Sequence, residues 1–124
     1  MVETKYFESI AKSLWDSKNY GNALSRMYYA VLHCMCDTLK ICHDIEIDVN
    51  HRIVHLKFIE NVGGDIRIFR RWQRIREVVD YKRGIERGSN SFYEYSNEML
   101  AMSIFIQKQR KQQLLWGSNN PGVE

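Results

Sequence analysis

Arg26 and His33 stand seven residues apart in SRMYYAVLHCMCDTL (residues 25–39), an otherwise apolar run. The residue types define a chemistry. A guanidinium is a fixed fork of donors matched to phosphate or carboxylate. An imidazole titrates near neutrality and suits proton transfer. On a helix, a separation of seven leaves the two side chains only about 20° apart, two turns along one face. That face lies opposite Leu24, Val31 and Met35, and its neighbours Tyr29, Ala30 and Cys36 are not surface residues by type. The pair is therefore expected in a half-buried seam, where each ionisable group needs a partner. A carboxylate on another helix would make the pair structural; a bound phosphate would make it a site.

A second concentration of chemistry is RIFRRWQRIR (67–76), five arginines in ten residues with no acid. Arg67, Arg70, Arg71 and Arg74 recur at i, i+3, i+4, i+7, one basic face opposite an apolar stripe of Ile68, Trp72, Ile75 and Val79. Such a face is either solvated surface or a phosphate contact, and arginine without lysine favours the second. Lys82 and Arg83 extend it, and Tyr81 adds an aromatic ring near the same side. Arg76 and Asp80 stand at i, i+4, the spacing of an intrahelical ion pair that would orient the arginine.

His51 and His55 are also at i, i+4, within reach of His43 or Asp48 as a ligand group. No glutamate completes an H-E-x-x-H motif and no cysteine set is near, so capping or packing is the expectation and no metal is assigned. There is no Gly-rich phosphate loop and no nucleophile motif, and no cofactor is expected. Cys34, Cys36 and Cys42 form no CxxC pair and read as reduced core thiols of a cytoplasmic protein.

The elements that must position these residues are helices. The single proline, Pro121, lies in the tail, so nothing breaks a helix before it. Apolar spacing predicts helices near 3–17, 21–42, 51–62, 65–83 and 92–114. Asn50 is placed to cap the third, Gly63–Gly64 to end it, and Ser91 with Glu94 to form a capping box on the fifth. The predicted fold is an all-α up-and-down bundle, one domain over 1–116, with a polar, disordered tail at 117–124. The predicted core is Leu24, Tyr28, Val31, Met35, Ile68, Trp72, Ile75, Met99 and Met102. The start MVETKYFESI has no signal-peptide pattern and no run is long enough to span a membrane.

Charge is uneven. Residues 1–64 carry seven Lys/Arg against eight Asp/Glu, and residues 65–124 carry eleven against seven. A basic C-terminal half suggests a phosphate-bearing partner.

YGNALSRMYYAVLHCMCDTL (20–39) resembles the signature of HEPN-domain proteins: a Gly, an Ala, then R-x-YYA-x-x-H and an apolar continuation. IREVVDYKRG (75–84) is similar to the R-x-x-x-D-Y segment on a later helix of that group. With helix number and motif order, the resemblance covers about residues 3–115. It implies a small helical bundle that forms a homodimer, found in toxin–antitoxin, phage-defence and CRISPR-linked systems. Many members are metal-independent endoribonucleases using R-x(4–6)-H, with the two subunits' motifs meeting at the dimer seam. Others are inactive binders of RNA or nucleotide, beside an antitoxin or a nucleotidyltransferase partner. Nuclease members carry the motif on the later helix, where this chain reads Arg76 to Tyr81 with tyrosine in the histidine's place; the Arg26–His33 pair has the spacing on the earlier helix. Catalysis would therefore fall to Arg26, His33, Arg76 and Tyr81, with Asp80 and Tyr29 orienting them. A homodimer is expected for a second reason: the second helix carries apolar residues on more faces than one bundle should cover.

Overall fold

A computed structural model describes the backbone of residues 2–81 and 91–119, with side chains for all of these except 81, 91–94, 118 and 119. Five helices follow in order: α1 (Val2–Asp16), α2 (Tyr20–His43), α3 (His51–Asn61), α4 (Ile66–Tyr81) and α5 (Ser91–Asn119). Among the described residues there is no strand, and the fold is an all-α helical bundle. No described helix is long and apolar enough to cross a membrane.

The local signals act as elementary chemistry requires. Asn50 accepts a hydrogen bond from the Ile53 amide at 3.1 Å and so satisfies one of the free N–H groups that open α3. Gly63 and Gly64 follow α3 at φ +120° and +114°, values an L side chain rarely adopts. Gly64 also makes room: a Cβ there would lie 2.7 Å from the Phe69 ring. Helix α5 runs through Asn119, so the helix continues past residue 116, where the polar tail was expected to begin. The expected Ser91–Glu94 capping box and residues 120–124 lie outside the described side chains.

Helix α2 is the axis of the bundle and packs against each of the other four helices. Leu24, Met27, Tyr28, Val31, Leu32, Met35 and Leu39 are all fully buried, along one broad face of it. On the opposite side Tyr29, His33 and Cys36 are only half-buried, so one chain leaves that face of α2 partly uncovered. Burial of that many large side chains contributes about 1.5–3 kcal/mol each, which makes α2 the main source of stability.

The core differs from expectation on α4. Ile68 is 45% exposed and Ile75 only half-buried, while Phe69, Trp72, Arg76 and Val79 face inward. The helix is rotated by about 50° from the predicted stripe, at 100° per residue. The cause is aromatic: Phe69 packs with Phe58, Trp72 and Phe105, with centroids 5.8–6.0 Å apart, and burying that ring outweighs burying Ile68. The same rotation carries Arg76 into the protein.

The segment 44–50 between α2 and α3 is not helical: Asp44 ends α2 in the left-handed conformation at φ 55°, and Asn50 is extended. Tyr28 and His43 are about 22 Å apart along α2, and the eight steps from His43 to His51 reach at most about 29 Å. The segment turns at Asp44, where the Ile45 amide donates back to Leu39 O at 3.0 Å, and brings α3's first residue beside Tyr28. Ile45 and Ile47 pack on the core while Glu46 and Asp48 stay exposed, the period of two expected of extended chain.

Candidate functional site

The N-terminal half of α2, the start of α3 and the end of α4 meet in a polar seam. Asp80 is its hub. Ser25 Oγ donates to Asp80 Oδ1 at 2.8 Å, Arg26 Nη1 stands 3.9 Å from the same oxygen, and Arg76 Nη1 stands 3.8 Å from Oδ2. Arg26 also donates to Ser25 Oγ at 3.2 Å. Two guanidiniums thus converge on one carboxylate, an arrangement that leaves one net positive charge. Their settings differ: the Arg26 side chain is 38% exposed and that of Arg76 only 6%.

Arg76 is held on three sides. Its guanidinium lies over the Tyr29 ring, 5.6 Å from the centroid, and Nη2 is 3.3 Å from His51 Nε2. His51 Nδ1 is in turn 2.9 Å from the Tyr28 hydroxyl, and that hydroxyl is 2.9 Å from His55 Nε2. The Tyr28 and His51 rings lie 8° from parallel. A continuous chain of polar contacts therefore runs from Arg76 through His51 and Tyr28 to the buried His55.

These environments bias the titrations. Burial lowers the His55 pKa to about 4, with His51 and Arg70 adding to the effect. Burial also lowers that of His51, and the Arg76 charge lowers it further. Burial raises the Tyr28 phenol well above its ordinary value, against the pull of Arg76. Both histidines are neutral at pH 7, held between one guanidinium and one protonated phenol.

His33 is separated from this group. Its ring stacks on Phe7 of α1 at 5.4 Å and 18°, and the nearby carboxylates are Glu3 and Asp37. Burial lowers its pKa, against those two charges. Arg26 and His33 share a face, as their spacing requires, but one turns to α4 and the other to α1. Between them sits Tyr29, which stacks on Phe7 at 5.5 Å and 30° and lies under Arg76. Phe7, Tyr29 and His33 form a half-exposed row of rings leading to the arginines.

The basic face of α4 forms as predicted: Arg67, Arg70, Arg71 and Arg74 are all exposed. Two of the four are engaged. Arg67 pairs with Asp65 at 3.2 Å and Arg71 with Glu98 at 2.6 Å. Arg70 and Arg74 have no ion pair among the described residues. The Tyr81 side chain, Lys82 and Arg83 lie outside the described residues.

Among the described residues no three His, Cys, Asp or Glu side chains converge as a metal site. The pair that spacing offered as ligands, His51 and His55, points its facing nitrogens at Tyr28 instead. The three cysteines are free, and burial raises Cys34 to about 12 and Cys36 to about 11, which leaves both as unreactive thiols.

Sequence reasoning identified Arg26, Arg76, Asp80 and Tyr29, and the structure brings these four together. It missed Ser25, Tyr28, His51 and His55 as members of the same group. Tyr28 had been assigned to the apolar stripe, where its ring does lie, and the hydroxyl's contacts 23 and 27 residues away follow no helical period. No protein-family profile, no curated protein and no solved structure matches the chain.

Proposed function

We propose that the protein is a HEPN-type RNA-binding protein whose seam holds an RNA phosphate and which acts as a metal-independent endoribonuclease. The observation that carries this reading is the convergence of Arg26 and Arg76 on Asp80, with His51 against the Arg76 guanidinium. A phosphodiester competing for these guanidiniums gains charge-assisted, forked hydrogen bonds. The row of Phe7, Tyr29 and His33 offers faces on which unstacked bases can lie, and Arg70 and Arg74 offer further phosphate contacts. A toxin–antitoxin or phage-defence setting, a symmetric homodimer, and an antitoxin or nucleotidyltransferase partner belong to this proposal through the sequence resemblance alone.

One observation favours a second reading, a non-catalytic module that binds RNA, a nucleotide or a partner through the same seam. His33, the histidine of the first motif, faces α1 and not the arginines, and Asp80 already occupies both guanidiniums. The test is a labelled single-stranded RNA incubated with pure protein in EDTA, followed by anisotropy and by gel. Binding with cutting supports the nuclease, and binding alone supports the module. Neither would end the RNA reading.

A further inference from the structure

We propose that Tyr28 and His55 are positioning residues that, with Arg76, hold the ring of His51 in one tautomer, so that its Nε2 lone pair faces Arg76 and the seam as the proton acceptor. This rests on the RNA reading only for what the acceptor does, not for how it is built.

The assignment follows from counting protons. Arginine only donates, so the Arg76 Nη2 contact at 3.3 Å requires an unprotonated Nε2 on His51. A neutral His51 then carries its proton on Nδ1, which must donate to the Tyr28 oxygen at 2.9 Å. Tyr28 has one hydroxyl proton, left to donate to His55 Nε2 at 2.9 Å. His55 is therefore an acceptor at Nε2 and holds its own proton on Nδ1. Every proton in the chain points from Arg76 towards His55, and no other arrangement of neutral rings satisfies all three contacts.

Energetics decide whether the chain shuttles a proton or orients a base. Moving a proton through to His55 would place a positive charge on a ring that is 1% exposed and lies near Arg70. That charge is disfavoured more strongly there than on half-exposed His51. The proton taken up by His51 stays on His51, and Tyr28 and His55 orient it. The groups facing His51 are Arg76 and Glu77 from α4 and Tyr28 and Tyr29 from α2; those facing His55 are Tyr28, His51 and Arg70.

On the RNA reading, a bound phosphate draws Arg76 Nη2 away and frees Nε2. The 2′-hydroxyl proton passes to Nε2 as the 2′-oxygen bonds to phosphorus and the bond to the 5′-oxygen breaks. Water protonates the departing 5′-oxygen, and the hydroxide left takes the proton back from His51. The products are a 2′,3′-cyclic phosphate and a 5′-hydroxyl end, with His51 restored.

The test needs no RNA for its first arm. Long-range 1H–15N correlation on the labelled wild-type protein at pH 7.5 should show both His51 and His55 protonated on Nδ1, the tautomer less common in free histidine. Finding His51 protonated on Nε2 overturns the proposal. Tyr28→Phe should lower the His51 pKa further, because the imidazolium loses its acceptor, and should let His51 populate both tautomers once inorganic phosphate competes for Arg76; an unchanged His51 signal under both conditions counts against the positioning role. If the variant does not fold, the wild-type tautomers alone decide. In the second arm, Tyr28→Phe should lower the cleavage rate and move the acid limb of its pH profile with the His51 pKa. Correct tautomers with no cleavage by wild type would sink the nuclease reading and leave the chain in place. Cleavage by wild type that Tyr28→Phe leaves unchanged would sink the proposal and leave the nuclease.

Discussion

Arg76 and Arg74 lie two residues apart on the same helix and share no environment. Arg74 is exposed and has no ion pair among the described residues. Arg76 is 5% exposed, and Asp80, His51 and the Tyr29 ring surround it. The two faces of α4 teach where identical residues acquire different work. An exposed guanidinium contributes charge that salt screens. A buried one imposes geometry, because every neighbour must be arranged to satisfy it.

The sharpest way to break this comparison is to truncate both arginines. Arg76→Met should cost about 4 kcal/mol, inside the range seen when one partner of a buried pair is removed. Arg74→Met should change stability by less than about 0.5 kcal/mol. Urea unfolding of the two variants measures both. Equal costs would show that burial of Arg76 carries no energetic weight.

A pH titration sharpens the same contrast with a slightly smaller effect. His55 has its folded pKa lowered from 6.5 to about 4, so the unfolded chain binds its proton first as pH falls. The contribution is whole above the unfolded pKa and is lost as pH falls from about 6.5 to about 4. At 1.36 kcal/mol per pKa unit that loss is about 3 kcal/mol, and His51 and His33 add to it in the same direction. Stability measured from pH 7.5 to pH 4 should fall over that window, and His55→Gln should flatten part of the slope. A flat wild-type curve would show that His55 is not held neutral by the fold.

How much of this was legible beforehand divides along the same line. The helices were, because Leu24, Val31 and Met35 repeat at the helical period and Asn50 and the Gly63–Gly64 pair punctuate it. The exposed arginine face was, for the same reason. The inward rotation of α4 was not: it depends on Phe69 meeting Phe58 and Phe105, rings on two other helices. The seam was half legible. Arg76 and Asp80 are an i, i+4 pair visible in one helix, whereas Ser25 with Asp80 and Tyr28 with His51 are contacts across 55 and 23 residues. The path of segment 44–50 sets the second of these, and no helical period reports where that segment returns the chain.

Next in size is Tyr28→Phe, read now as stability. The change leaves the His51 Nδ1–H without its acceptor and takes the donor from His55, at a cost of about 1–3 kcal/mol for groups so buried. His51→Phe in the same background should cost less than it does alone, because the two positions share one contact. A double-mutant cycle by thermal melts measures the coupling, and additive costs would mean that the hydroxyl and the ring do not interact.

The smallest expected effect on stability carries the most about function. Arg71 belongs to Glu98, so its reversal would confound folding with binding. The clean variant is Arg70→Glu with Arg74→Glu, both exposed and unpaired among the described residues. Its melting temperature should match wild type within the margin of ordinary surface changes. Its affinity for single-stranded RNA should fall, and the salt dependence of that affinity should become less steep by about 1.4 in log–log slope, about 0.7 for each phosphate contact removed. Anisotropy titrations between low and moderate salt measure the slope. An unchanged slope would make the basic face solvated surface and leave the seam, among the described residues, as the place where phosphate is met. A slope that flattens while residual binding survives would assign the two arginines to capture of the strand and the buried one to its orientation.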